Sequence, residues 1–192
     1  MPEITEDEIP FDIPDNWKWA RFSDIAQFEN GDRSNKYPVE SDYVSHGVPF
    51  FGAKDMGNEY MSFENVRYIT PEKFSALGNG KLADNDIVCL LRGSVGKTAV
   101  FKADEFHKTG FICAQMLIIR CFETQMRDYM SRFLGSQYYM AYIQDKTTGT
   151  AVRQLPAREV AKMPIPLPPL AEQRRIVARL DELLPLCEHI QC

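Results

Sequence analysis

Positive charge is scarce in this chain. Its 22 lysine and arginine residues are outnumbered by 27 aspartate and glutamate residues, which gives a formal net charge of −5 at pH 7. Six of the acidic residues fall within the first sixteen positions, where no lysine or arginine occurs, and the remaining charges nearly cancel. A domain that binds nucleic acid usually carries a strongly basic surface. Any such role must therefore depend here on small groups of residues rather than on net charge.

Long apolar runs and regularly spaced metal ligands are also missing. No apolar run approaches the roughly 20 residues that a membrane-spanning helix requires, and the acidic start is the reverse of a basic signal-peptide region. The five cysteines are odd in number and lack C-x-x-C spacing, and the three histidines show no i, i+4 pairing. These patterns favour reduced structural thiols over disulfides. We expect a cytoplasmic protein with no membrane association, no metal and no other cofactor.

Three catalytic motifs are present only in part. The stretch 93–98, Gly-Ser-Val-Gly-Lys-Thr, resembles the end of a phosphate-binding loop, but that motif requires glycine at position 91, where this chain has Leu91. Lys97 and Thr98 also lead into a β-type sequence rather than a helix, so a hairpin turn is favoured. The stretch 167–170, Leu-Pro-Pro-Leu, lacks the polar first residue with which amino-methyltransferases hold a flipped base. Because no lysine follows an Asp-x or Glu-x pair either, as it does in common nuclease sites, we expect no catalytic residues.

The C-terminal part of the chain carries the most specific pattern. Four prolines between positions 164 and 169 favour an extended segment, and proline is tolerated in the first turn of a helix, so a helix is predicted to begin near Pro169 or Leu170. Apolar residues then recur at spacings of four, three, four and three, which is typical of a coiled-coil interface with a partner helix. These residues are Ile176, Leu180, Leu183, Cys187 and Ile190. Pro185 removes a backbone donor and predicts a kink or an end of the helix near it.

The chain before these prolines is predicted to be a mixture of short strands and helices. β-rich sequences predict strands at 17–21, 48–51, 66–69, 86–92, 97–101 and 111–120. Helical segments are predicted at 24–28, capped by Ser23, at 70–78, with Thr70 as N-cap, and at 125–145. The polar stretch 30–45 is predicted to be one long loop. The fold class that follows is α+β: a twisted mixed β-sheet or partial barrel with short helices, followed by a coiled-coil-type C-terminal helix.

Several segments, taken in this order, resemble the specificity subunits of type I restriction-modification systems. The block 164–180, with its prolines, Leu-Ala-Glu-Gln and Arg-Ile-Val, resembles the start of their spacer helix. The segments that resemble successive parts of their target recognition domain are 17–25, 48–50, 86–97, Gln115 and 148–151. Each segment alone is a weak signal, but their joint order covers nearly the whole chain and is specific.

The resemblance implies a non-catalytic protein that reads DNA sequence and holds other subunits. Together with the composition, it divides the chain into an acidic N-terminal arm at 1–13, a DNA target recognition domain at 14–163, and a proline-rich linker with a spacer or dimerisation helix at 164–192. The implied partners are double-stranded DNA, a methyltransferase (modification) subunit and a restriction subunit. Full-length members carry two recognition domains and read a split target. This chain has one such domain, so it is either a piece of a longer subunit or a half-subunit that pairs with itself through its C-terminal helix.

The residues expected to contact DNA are polar or basic side chains of the predicted loops and hairpin. Such side chains donate hydrogen bonds to guanine or adenine edges or to phosphates. The candidates are Arg33, Asn35, Lys36, Lys54, Arg92, Ser94, Lys97, Thr148 and Thr150. For any one of them, a solvated surface group is as good an interpretation as a DNA contact. Between Arg92 and Arg120, five basic residues against two acidic ones give a local charge of +3, the best electrostatic support for the hypothesis.

Two other functions fit the same sequence. The domain is also compatible with the recognition part of a fused methyltransferase-nuclease, whose catalytic motifs would lie outside these residues. A third hypothesis is a helix-mediated assembly protein that never binds DNA, with which the net charge of −5 agrees.

Overall fold

The structure, a computed structural model, describes residues 4–149 and 153–188. In this part of the chain, eleven strands form three sheets, and there are six α-helices. The strands are β1 (Lys18–Arg21), β2 (Ala26–Asn30), β3 (Tyr43–Val44), β4 (Val48–Phe51), β5 (Arg67–Ile69), β6 (Lys81–Leu82), β7 (Ile87–Leu90), β8 (Thr98–Val100), β9 (Gly110–Ile112), β10 (Met116–Cys121) and β11 (Pro164–Leu167). The helices are α1 (Phe22–Ile25), α2 (Pro71–Ala76), α3 (Arg127–Phe133), α4 (Gln137–Lys146), α5 (Ala157–Lys162) and α6 (Leu170–Glu188).

A four-stranded antiparallel sheet, in the order β2, β10, β7, β8, forms the central layer. Successive side chains of a strand point to opposite faces of the sheet. In β7, Ile87 and Cys89 therefore pack into a core shared with the helices, whereas Val88 and Leu90 pack into a second core on the other face. Burial on both faces explains why β7 is apolar throughout instead of alternating with polar residues.

The second core is covered by a five-stranded mixed sheet in the order β3, β5, β4, β9, β6. Strands β4 and β9 run parallel, and the other neighbours are antiparallel. Phenylalanine fills this core: the rings of Phe50, Phe51, Phe101 and Phe111 are almost completely buried. The α+β class, with a mixed sheet, short helices and a C-terminal helix, is confirmed, and the sheets of the described residues do not close into a barrel.

The single strand predicted at 111–120 is wrong. Its residues form two strands, β9 and β10, which belong to different sheets. The amide of Cys113 donates to the carbonyl oxygen of Phe51 at 2.9 Å, and the amide of Met116 donates to Cys113 at 3.1 Å, so residues 113–115 form a tight crossing between the sheets. The residues of β9 and the first four of β10 are buried, and because only Gln115 interrupts the apolar sequence, the turn between the strands is hard to recognise.

Two predictions near the N-terminus also need correction. The helical turn expected at 24–28 is the four-residue helix α1, whose N-cap is Arg21 and not Ser23, and residues 26–30 form strand β2. The loop expected at 30–45 contains a 3-10 turn at Glu40–Asp42 and the short strand β3. Strand β2 pairs with β10, and strand β3 pairs with β5. Local sequence patterns do not reveal such long-range pairing, so they did not predict these two strands.

The helix predictions are confirmed in part. Helix α2 begins after Thr70, whose side-chain oxygen accepts the amide of Lys73 at 3.1 Å, as its capping pattern predicts. The helix expected at 125–145 is interrupted at residues 134–136, and α4 starts with its own cap, because Ser136 accepts the amide of Tyr139 at 3.2 Å. Helix α5 was not expected from the sequence.

The C-terminal helix begins at Leu170, as predicted, and it is anchored to the rest of the protein. The proline-rich segment before it is strand β11, which pairs with β1. In the first turns of α6, the Gln173 side chain is buried and donates to the carbonyl oxygen of Pro168 at 2.8 Å, and Ile176 and Val177 pack against the core below the helices. The helix continues through Pro185 and does not end there.

The acidic arm at 1–13 contacts the domain through two of its described residues. Both oxygens of Glu8 accept hydrogen bonds from the Arg21 guanidinium at 2.7 Å, and these bonds lower the pKa of Glu8 to about 2. The ring of Phe11 packs edge-on against Trp19 and Tyr138, with centroid distances of 5.1 and 5.4 Å. The arm is acidic, but these contacts hold it against the rest of the protein.

The cysteines of the described residues are free thiols: Cys89, Cys113, Cys121 and Cys187. Burial raises the pKa of the Cys89 thiol to about 11, so it stays protonated at neutral pH. The fifth, Cys192, lies outside the described residues. In the described part of the chain, no helix has the length and apolarity needed to cross a membrane, and no cluster of His, Cys, Asp and Glu side chains suits a metal ion.

Candidate nucleic-acid interface

The loops that carry most of the predicted contacts emerge at one end of the sheets. In the four-stranded sheet, Leu117 pairs with Asn30 and Met116 pairs with Leu90, so the loop after β2, the β7–β8 hairpin and the start of β10 share one end. In the five-stranded sheet, β4 and β9 both finish at the pair Phe51 and Ile112. Because residues 113–115 connect β9 directly to β10, the two ends meet. We call this the loop end of the protein.

Hydrogen bonds tie the loops of this end to one another. The Nη2 atom of Arg33 donates to the carbonyl oxygen of Ala114 at 3.1 Å, which connects the loop after β2 to the crossing turn. The next residue of that turn, Gln115, accepts the amide of Leu91 at 2.8 Å and so connects it to the hairpin. Three chain segments thus form one continuous surface.

Thr148, Gln154 and Leu155 lie beside the hairpin. The Arg92 side chain donates from Nη2 to Oε1 of Gln154 at 3.0 Å. Gln154 and Thr148 exchange two backbone hydrogen bonds of 2.9 Å, and the amide of Leu155 donates to Leu91 at 2.9 Å. Sequence reasoning did not identify Gln154, because its role depends on this pairing and no local motif marks it.

The base of the first loop is fixed by a buried carboxylate. Asp32 accepts the amide of Ser34 at 2.6 Å and the amide of Gly78 at 2.8 Å, and its side chain is 5% exposed. Burial by itself raises the pKa of Asp32, but the bonds from Ser34, Gly78 and Asn79 outweigh burial and hold that pKa below its ordinary value. The neighbouring Gly31 is packed against the crossing turn, where a Cβ atom would lie 2.3 Å from the carbonyl oxygen of Cys113.

The hairpin predicted at 93–96 is confirmed. Gly93 and Gly96 have φ values of 79° and 83°, a region that glycine adopts without strain. At Gly96 space is limited as well, since a Cβ atom would lie 2.8 Å from the Ile143 side chain. The turn connects two antiparallel strands and opens no helix, which removes the phosphate-binding-loop interpretation.

Comparison with known proteins gives this surface a context. The family model described as "Type I restriction modification DNA specificity domain" matches residues 14–190. The chain belongs to this family. Among curated relatives of the specificity domain, it is 25% identical over 196 residues to the Type I restriction enzyme EcoAI specificity subunit of Escherichia coli, covering 100% of this chain and 32% of that protein. It is 24% identical over 174 residues to the MjaVIII specificity subunit of Methanocaldococcus jannaschii, covering 88% and 36%.

Solved structures share the fold of this specificity domain. The HsdS subunit from Thermoanaerobacter tengcongensis superimposes with a TM-score of 0.71 at 24% identity, over 95% of this chain and 40% of that chain. The type I restriction-modification S subunit from M. genitalium gives a TM-score of 0.56 at 14% identity, over 94% and 43%. This chain therefore spans about a third of the length of the curated relatives named here and about two fifths of these solved chains.

The specificity domain brings most of the predicted DNA contacts to the loop end. Those exposed there are Arg33, Asn35, Lys36, Arg92, Ser94 and Thr148. Lys54 is exposed in the turn after β4 and donates to the carbonyl oxygen of Asn65 at 3.1 Å. Lys97 is half-buried and donates to the carbonyl oxygen of Met56 at 2.7 Å, which gives it a structural role between the hairpin and the loop after β4. Thr150 lies outside the described residues.

The basic residues between Arg92 and Arg120, which were expected to form one patch, do not lie together in the structure. Lys102 follows the far end of β8, where it donates to the side chain of Asn85 at 3.2 Å. Arg120, near the far end of β10, forms an ion pair of 2.6 Å with Asp86, and this hydrogen bond raises the pKa of its guanidinium. Because antiparallel strands carry neighbouring sequence to opposite ends of a sheet, summing charge along the sequence combined two separate surfaces.

The predicted coiled-coil residues divide into two groups in the specificity domain. Ile176 is half-buried against the core and Leu180 is half-buried beside α3. Leu183 is 37% exposed and Cys187 is exposed, while Ile190 lies outside the described residues. The neighbouring Leu184 and Leu186 are 44% and 58% exposed, so apolar surface concentrates in the last described turns of α6.

Proposed function

We propose that this chain reads double-stranded DNA sequence within a type I specificity subunit and catalyses no reaction itself. The observation that carries the proposal is the loop end, where Arg33, Arg92, Gln154 and Thr148 lie on segments joined by hydrogen bonds. Arginine and glutamine side chains recognise guanine and adenine edges, and threonine contacts bases or phosphates. Membership of the DNA specificity domain family supports the same role.

The length of the chain adds a second part to the proposal. One recognition domain reads one half of a split target, and the other half is read by a second domain or by a second copy of this chain. The exposed leucines near the end of α6 are the surface for pairing, and the same helix docks the methyltransferase and restriction subunits. The curated relatives are named as subunits of type I restriction enzymes, which supports this assignment.

Selection of binding sites from random duplex DNA tests the central claim. We expect one short sequence to be enriched, and its affinity to fall as salt rises, by about 0.9 in log K per log unit of salt for each neutralised phosphate. Fluorescence anisotropy across a salt series then measures the slope. Arg92→Ala should weaken binding, whereas Arg179→Ala, on the exposed part of α6 where Arg179 pairs with Glu182, should not.

Two outcomes would reject the proposal. Enrichment of no sequence, together with salt-independent affinity, would favour the assembly protein that does not bind DNA. Equal losses for the Arg92 and Arg179 variants would show that DNA binds elsewhere on the protein. Co-expression with a modification subunit, followed by genome-wide mapping of methylated adenine, tests the docking and pairing claims separately: a split palindromic motif is expected for a self-pairing chain.

A further inference from the structure

An arginine of α3 bridges two segments that lie far apart in the sequence. Arg132 donates from Nε and Nη2 to the carboxylate of Asp181 on α6, at 2.9 and 2.7 Å. Its Nη2 atom also donates to Oε1 of Glu59 at 3.2 Å. We call Glu59, Arg132 and Asp181 the Arg132 triad.

The Glu59 side of the triad is fixed to the DNA-reading hairpin. The carbonyl oxygen of Glu59 accepts the amide of Val100 in β8 at 2.8 Å, and Met61 donates to Val100 at 2.9 Å. The carbonyl oxygen of Met56, three residues before Glu59, accepts a hydrogen bond of 2.7 Å from the side chain of Lys97 in the hairpin. The segment 56–61 is therefore bonded to the hairpin turn at Met56 and to β8 at Glu59 and Met61.

Packing around the triad is open. A cleft of about 340 Å³ lies between Arg132, Leu180 and Leu184, and a smaller one of about 150 Å³ adjoins Val177 and Asp181. Ile176 and Val177 pack against the core, but a further cleft of about 260 Å³ lies beside Gln173 and Val177, so the space along this side of α6 is incompletely filled. The triad is a polar connection across this space at the turn that contains Asp181.

The helix is weakest where the triad holds it. Pro185 has no amide hydrogen, so the carbonyl oxygen of Asp181, four residues earlier, loses its helical hydrogen bond. Helices bend most readily at such positions. The turn that lacks an internal bond is thus the turn that Arg132 ties to the domain.

We propose that Arg132 is a positioning residue that fixes the direction in which α6 leaves the recognition domain. Partly exposed ion pairs add little to stability. The side chains of Arg132, Asp181 and Glu59 are 29%, 48% and 46% exposed, so the triad affects the direction of the helix rather than the stability of the fold. The effect of this direction on DNA recognition rests on the proposed function. A fixed helix direction sets the distance and rotation between two recognition surfaces, and hence the spacing between half-sites.

A distance measurement between two spin labels tests this on the full chain. One label is placed on Cys187, which is exposed on α6, and the other on the variant Gln27→Cys, exposed on β2, with Cys121→Ala and Cys192→Ser removing competing thiols. Unlabelled protein is added in excess to suppress distances between copies. We expect Arg132→Ala to broaden the distance distribution by about twofold, because the turn that contains Asp181 is then no longer held to α3.

Matched variants separate positioning from general damage. Asp181→Ala removes the same interaction from the helix side and should broaden the distribution similarly, with an unchanged melting temperature. Arg132→Lys keeps the charge but loses the two-pronged contact, and should give an intermediate width. Arg179→Ala, which breaks an exposed ion pair on the same helix, should change nothing. Unchanged widths for Arg132→Ala and Asp181→Ala, or equal broadening by Arg179→Ala, would overturn the proposal.

The measurement needs no DNA, so its failure is distinguishable from failure of the proposed function. Methylation mapping supplies the functional readout. In the same assembly, Arg132→Ala should leave the half-site sequence unchanged and relax the spacing between half-sites. A uniform loss of methylation at unchanged spacing would point to a merely structural role.

Discussion

At the scale of single residues, the conformation of the loop end depends on a few side chains, each of which makes specific hydrogen bonds. Asp32 is buried, and its two oxygens satisfy amides of Ser34 and Gly78 that no other described group serves. Arg92 is exposed, but Gln154 holds one arm of its guanidinium, which reduces the freedom it would lose on binding. The sequence marked Arg92 as a candidate and could not mark Asp32 or Gln154, because their partners lie 46 and 62 residues away.

Replacing Asp32 by alanine should destabilise the protein by about 1–3 kcal/mol, because two partly buried hydrogen bonds, from the amides of Ser34 and Gly78, lose their charged acceptor. Urea unfolding followed by circular dichroism measures this loss. The exposed Asp15 provides a matched control, and Asp15→Ala should have no measurable effect. A stable Asp32→Ala variant would mean that the loop does not depend on this carboxylate.

Gln154→Ala and Arg92→Ala should differ in their salt dependence. Removing Gln154 takes away orientation but no charge, so specific affinity should fall by about tenfold with the salt slope unchanged. Removing Arg92 should lower affinity and also reduce the slope by about 1. Anisotropy titrations with the selected sequence distinguish the two. A changed slope for the glutamine variant would contradict the orienting role.

At the scale of elements, two segments that the sequence set apart are joined to the domain. The N-terminal arm is held by the Glu8–Arg21 contact and the Phe11 ring, and the start of α6 is held by the β1–β11 pair. Glu8 and Arg21 are 13 residues apart, whereas Phe11 also contacts Tyr138 in the middle of the chain and the β1–β11 pair joins segments near its two ends. Composition records the acidity of the arm and cannot record its partners.

The arm contact should weaken in acid. The folded-state pKa of Glu8 is about 2, below the ordinary 4.5, so its contribution is complete above pH 4.5 and is lost as the pH falls towards 2. Trp19 packs on Phe11, and its fluorescence should therefore change over that range. Glu8→Ala should show the released signal already at neutral pH, whereas Glu6→Ala should behave like the unmodified chain. A pH response that Glu8→Ala leaves intact would assign it to another group.

At the scale of the whole molecule, the surfaces proposed for reading DNA and for pairing are different. The loop end is formed by the ends of both large sheets, while the exposed leucines lie in the last described turns of α6. A change to one surface should therefore leave the other intact, unless the helix direction is altered through the Arg132 triad.

The double variant Leu183→Glu and Leu186→Glu should abolish self-association, because charged residues at a helix interface cannot be buried without partners. Analytical ultracentrifugation measures the association, and anisotropy should find DNA affinity for a single half-site unchanged. Leu170→Glu is the control: this leucine is 39% exposed on the same helix but lies at its start, away from the exposed leucines of the last described turns. Equal effects of the two variants would show that the pairing surface has been misplaced.

The sequence by itself determined the parts of this protein that depend on neighbouring residues. Proline chemistry located the start of α6, capping located α2, and a glycine turn located the β7–β8 hairpin, since each follows from the backbone limits of a few adjacent residues. The joint order of its motifs also led to the family. Only the tertiary structure decided that residues 111–120 divide between two sheets and that the basic residues after Arg92 lie at opposite ends of a sheet. It also decided that Gln154 contacts Arg92 and that Asp181 contacts Arg132. Those outcomes depend on strand pairing and side-chain contacts across long stretches of chain, and a one-dimensional pattern carries no information about which distant residues will meet.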